Sequence, residues 1–121
     1  ERRYNRNIIS RFQHSISMKC ILAYITTKDK KEAERIGLLL VQKKVAACVN
    51  IIPGMQSLYV WEGKIQKERE CILIAKTTST KKKKLLETVL KVHSYSVPCV
   101  LFLKEEGGNP RDLKWLAESV K

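Results

Sequence analysis

The sequence predicts an α+β fold: a ferredoxin-like β-α-β-β-α-β sandwich with a long β-hairpin and an extra carboxy-terminal helix. Three observations carry this. Apolar, strand-like runs alternate with segments of helical period, and two β-α-β units joined in this order make one antiparallel sheet with two helices on one face. Ser57-Leu58-Tyr59-Val60-Trp61 meets the turn Glu62-Gly63-Lys64, and a second extended run then rises from Ile65 to Thr78, which describes a long hairpin with an aromatic tip. The strands are apolar throughout rather than alternating, so both faces of the sheet need cover. A chain of 121 residues has a modest core and little interior in which to hide such a tip. A neighbouring subunit is the natural place for it.

Each element follows from local pattern. Cys20 to Ile25 is a continuous apolar run within a strand at 19–27. Thr27 or Asp29 can cap a helix whose inward stripe is Ala33, Ile36, Gly37, Leu40 and Val41, with Lys43 and Lys44 in its last turn opposing the dipole. A second strand runs from Val45 to Ile52 and is expected to break at Pro53-Gly54. The hairpin occupies 56–62 and 65–77. Thr78, Ser79 or Thr80 caps the second helix, which turns Leu85, Leu86, Val89, Leu90 and His93 inward. Lys81 to Lys84 at its start oppose the dipole, with no structural compensation visible in sequence. Cys99 to Lys104 is the last strand, and Glu105 to Asn109 a loop. Pro110 suits the first position of a final helix that packs through Leu113, Trp115, Leu116 and Val120.

Composition narrows the function classes. Hydrophobic residues make up 44% and charged residues 30%, a globular balance, and no apolar run approaches a membrane span of roughly 20 residues. Net charge is +12, which permits contact with nucleic acid or anionic surfaces without identifying a site. Cys20, Cys48, Cys71 and Cys99 are widely spaced and lie in apolar segments. They read as reduced, buried thiols and point to a cytoplasmic location. Residues 1–17 differ: four arginines, serines and asparagines with one acid suggest a flexible basic arm, a leftover segment or an organellar transit sequence. The folded domain is expected at 18–121. No phosphate loop, dinucleotide fingerprint or histidine-based triad is present, so the chain is not expected to be an enzyme. The topology is shared with RNA-recognition domains, but the expected central strands lack their paired stacking aromatics, so specific nucleic-acid binding is not expected.

The blocks Ala46-Ala47-Cys48-Val49-Asn50-Ile51-Ile52-Pro53-Gly54, Ser57 to Ile65, Lys76-Thr77-Thr78 and His93-Ser94-Tyr95-Ser96-Val97-Pro98 resemble, in order and spacing, the CutA family of divalent-cation tolerance proteins. The resemblance covers about residues 18–120. It implies a compact homotrimer in which hairpins from neighbouring subunits pair and close the sheet edges, and a binding or regulatory, signalling-type role in metal tolerance. The chain departs from the family pattern at Ser94, where proline is usual, and at Ser96 and Cys99, where acids are usual.

The resemblance also points to Cys48 and His93 as metal ligands, copper above other divalent cations, because thiolate and imidazole suit it. The plainer reading is a packed thiol and a capping histidine. Tyr59, Trp61 and Tyr95 are candidates to line a small-ligand cleft between subunits, with Glu62, Lys64 and Lys76 holding a polar ligand. Against this, Tyr59, Trp61 and Trp115 are equally interface anchors, and Glu62 and Lys64 are turn residues. Asn50, a polar residue in an apolar strand, either stitches the sheet or faces the cleft. The alternative function is a ligand-free trimeric scaffold that anchors or assembles another protein.

Overall fold

The computed structural model describes residues 20–121. The expected arm at 1–17 lies outside the described residues. Four strands, β1 (Cys20–Thr27), β2 (Cys48–Trp61), β3 (Lys64–Thr78) and β4 (Val100–Lys104), form one sheet in the order β2-β3-β1-β4. Every neighbouring pair is antiparallel. Three helices complete the fold: α1 (Lys30–Gln42), α2 (Lys82–Val92) and α3 (Pro110–Ser119). This is the predicted ferredoxin-like arrangement with its extra helix.

Alternation along the central strands sorts the two sheet faces. Ala23 and Ile25 of β1 and Cys71, Leu73 and Ala75 of β3 are buried against Ala33, Ile36 and Leu40 of α1 and Leu85 and Val89 of α2. Each Ile, Leu or Val side chain among them contributes roughly 1.5–3 kcal/mol by leaving water. Val41 and Leu90, expected in these inward stripes, are exposed instead. Gly37 sits where α1 crosses the sheet. A Cβ there would stand 3.0 Å from Val49 Cγ2 and 3.2 Å from Leu73 Cδ1. Gly37→Ala is therefore expected to lose about 1 kcal/mol in urea unfolding, because overpacking outweighs the gain in helix propensity. A stabilised variant would show that the core can give way.

Among the described residues the opposite face is covered at one end. There α3 packs Leu113 and Leu116 on Cys20. Burial pushes the Cys20 thiol up to about 11, helped by Glu105 and Asp112. Over the rest of that face Ile52, Leu101 and Leu103 remain exposed.

Several local readings are corrected. Pro53-Gly54 does not end β2. Ile52 pairs with Ile72 and Met55 with Glu70, so Pro53 and Gly54 together oppose Cys71 in a bulge. Gly54 takes a positive φ of 79° there, and the strand continues to Trp61. The helix α1 stops at Gln42, leaving Lys43 and Lys44 beyond its last turn. Asp29, not Thr27, is its cap, accepting from the Glu32 N–H at 2.9 Å. No side chain caps α2. A 3₁₀ turn at Ser79–Lys81 leads into it, and Thr78 and Thr80 bond each other instead. Lys82 Nζ lies 5.2 Å from the centre of the Phe102 ring, a partial compensation for the lysine run that sequence did not show.

Past Thr27, β1 ends while β2 and β3 run on as a two-stranded ribbon closed by Glu62-Gly63. Both turn residues have positive φ, 51° and 78°, the signature of a type I′ turn between Trp61 and Lys64.

Candidate functional site

The register of the ribbon decides which residues share a face. Met55 pairs with Glu70, Ser57 with Glu68, Tyr59 with Gln66 and Trp61 with Lys64. Alternate residues from Met55 to Trp61 and from Lys64 to Glu70 therefore project to one side, the side that continues the open face of the sheet. Leu58, Val60 and Ile65 project to the other side and are exposed.

Opposite this face stands the segment between α2 and β4. It is held at three consecutive residues. The His93 N–H closes the last turn of α2 on Val89 O at 2.9 Å. The His93 ring bridges two backbone groups: Nδ1 accepts from the Tyr95 N–H at 3.0 Å, and Nε2 lies 2.8 Å from Thr26 O. A carbonyl can only accept, so Nε2 carries the proton and the ring is neutral. The Ser94 N–H donates to Glu32 Oε2 at 2.8 Å, and the other Glu32 oxygen accepts from the Lys28 N–H at 3.0 Å. Tyr95 then reaches across to the ribbon, donating its phenol to Glu70 Oε2 at 2.6 Å.

Between ribbon and segment lies an open groove of about 550 Å³. Tyr59, Trp61, Glu68 and Glu70 form the ribbon wall, and Tyr95 and Cys99 stand in the facing one. Burial and the Glu70 carboxylate push the Tyr95 phenol well above its ordinary range. A hydrogen bond to Glu68 raises Tyr59. Ser96 also lines the groove, so both positions at which the family resemblance expects acids border it, and neither carries one.

The structure brings together three of the predicted cleft residues: Tyr59, Trp61 and Tyr95. It does not bring in the others. Asn50 and Lys76 lie on the open sheet face, paired with Ile74 and Cys48. Asn50 is exposed in the single chain rather than stitched into the sheet. Glu62 and Lys64 belong to the ribbon turn. Glu68 and Glu70 were missed, although their place follows from counting outward in pairs from Glu62-Gly63.

The metal pair is not assembled within one chain. Cys48 opens β2 and pairs with Lys76, near the start of β1. His93 bonds Thr26, near its end. Both ring nitrogens of His93 are already engaged. Among the described residues no three His, Cys, Asp or Glu side chains are grouped to hold a metal. Trp115 is half exposed on α3.

Comparison with known proteins places this geometry. The family model described as CutA1 divalent ion tolerance protein matches residues 21–119. The chain is 40% identical over 107 residues to chloroplastic Protein CutA 1 of Oryza sativa, with 88% of this chain and 60% of that protein covered. It is 43% identical over 98 residues to the divalent-cation tolerance protein CutA of Archaeoglobus fulgidus, covering 81% of this chain and 95% of that one. The crystal structure of CutA1 from Oryza sativa superposes with a TM-score of 0.84 at 40% identity, over 88% of this chain and 98% of that chain. The chain thus spans about 60% of the length of the rice relative it matches and nearly all of the archaeal one. On the matched residues, their identity and the shared fold, the chain belongs to the CutA1 divalent ion tolerance protein family.

Proposed function

We propose that the chain acts as a homotrimer in divalent-metal tolerance, by binding a small ligand in the groove rather than by catalysis. The carrying observation is the ribbon. Leu58, Val60 and Ile65 are 63%, 67% and 74% exposed, and Trp61 is 53% exposed. An isolated two-stranded hairpin is marginal in water, and this one exposes large hydrophobic side chains on both sides, Trp61 on the groove side and Leu58, Val60 and Ile65 on the other. Packing against other copies would cover it and wall the groove with a second chain. The name of the rice relative gives a chloroplast location, and an arginine- and serine-rich start suits such an address better than the cytoplasmic reading. The one described histidine is committed to backbone on both nitrogens, which leaves no free imidazole for acid–base work among the described residues.

Copper at Cys48 and His93 has less support than a groove ligand, for the same reason. Sedimentation velocity at micromolar concentration tests the assembly, with a trimer expected and a folded single chain refuting it. Calorimetry with Cu(II), Cu(I) and Zn(II) on wild type and on a Cys48→Ala, His93→Gln double variant tests the site. Metal affinity is expected to be equal in the two proteins. Tight wild-type binding that vanishes in the variant would restore the metal pair.

A further inference from the structure

We propose that the groove is selective for a small organic cation of the alkylammonium type. The inference rests on the groove being a ligand site. The chain as a whole carries +12, from 24 Lys and Arg against 12 Asp and Glu, so anions are favoured over most of its surface. The groove inverts that balance. Among the described residues its charged lining residues are Glu68 and Glu70, and no described lysine or arginine lines it. Glu70 is only 9% exposed. One of its oxygens accepts from Tyr95, and a carboxylate has further lone-pair positions to offer.

The aromatic lining sharpens the choice of cation. Aromatic residues are 7% of the chain, yet Tyr59, Trp61 and Tyr95 all line this one groove. Trp61 and Tyr59 stand in the ribbon wall of the groove, 53% and 38% exposed in the single chain, where either ring can face a ligand held between ribbon and segment. A cation over an aromatic face is attracted by the ring quadrupole, most strongly by indole, and its methyl or methylene groups gain apolar contact at once. A hard divalent ion needs about six oxygen ligands. One of the two carboxylates here is already bonded to a tyrosine phenol, so such an ion would keep most of its ligands as water and gain nothing from the aromatic walls. Anions find no positive partner among the described lining residues.

Calorimetry with tetramethylammonium chloride, and with tert-butanol as a neutral molecule of similar shape, tests the assignment. Wild type is expected to bind tetramethylammonium saturably, one per chain, and not to bind tert-butanol. Trp61→Leu is expected to weaken binding roughly tenfold. The isosteric Glu68→Gln, Glu70→Gln pair is expected to weaken it by at least as much. Trp61→Phe, which keeps a ring, should fall between Trp61→Leu and wild type, and serves if the leucine variant does not assemble. Absence of saturable binding to wild type, equal binding of tert-butanol, or undiminished binding by the Trp61→Leu and glutamine variants would overturn the proposal. Sedimentation of the same samples separates the two readings. A trimer that ignores tetramethylammonium refutes the ligand class alone, and a single chain that binds it refutes the trimer alone.

Discussion

Leu101→Glu combined with Leu103→Glu is expected to turn the assembled protein into folded single chains. Both side chains lie on β4, 59% and 53% exposed in the isolated protomer. They alternate with Val100 and Phe102, which pack on the helix-covered core. Across the strand they pair with Tyr24 and Leu22, and Ile52 extends the same apolar face at the far side of the sheet. A carboxylate forced into a protein interface loses its water, at several kcal/mol for each ion. The core on the other face is untouched, so circular dichroism should keep its native form while sedimentation reports a single chain. Leu38→Glu, on α1 and also 59% exposed, is the control and should leave the assembly intact. A double variant that stays trimeric would show that this face is not the assembly surface.

Glu32→Gln is expected to lose about 2 kcal/mol of stability at pH 7 and very little below the ordinary carboxylate range. Burial by itself would raise this carboxyl. Its hydrogen bonds from Ser94 and the Lys28 N–H outweigh that and hold it below 4.5. The side chain is 1% exposed, and its ion pair with Arg35 is long, at 3.4 Å, with Arg35 largely in solvent. The hydrogen bonds from Ser94, side chain and backbone, and from the Lys28 N–H therefore carry most of the effect. A carboxyl lowered on folding stabilises the protein above its unfolded value, and that contribution fades as pH falls through the lower folded value. Glutamine mimics the protonated form. Urea unfolding at fixed protein concentration should show two curves separated at pH 7 that converge below pH 4.5. A gap that stays constant with pH would place the effect in packing instead. Because Glu32 anchors Ser94, the variant should also loosen the segment that carries Tyr95 to the groove.

Legibility followed range. Strand and helix order, the Glu62-Gly63 turn, the helix start at Pro110 and most of the buried stripe could be read directly, because each depends on neighbours within a few residues. Pro53-Gly54 misled for a physical reason. In sequence it signals a break, whereas a bulge lets an edge strand tolerate the missing N–H and the positive φ. His93 left two readings open, a metal ligand or a capping histidine, and in the single chain its ring bridges Thr26, 67 positions away, and Tyr95.

What sequence by itself determined was the architecture and the need for cover. Apolar strands, an aromatic hairpin and a short chain leave more hydrophobic surface than one copy can bury. What tertiary structure alone decided was the chemistry of the groove. Glu70 meets Tyr95 across 25 residues only because the ribbon outruns β1 and the segment after α2 turns to face it. Local pattern encodes which face a side chain takes, but the identity of the group opposite depends on where separate elements are brought together by packing.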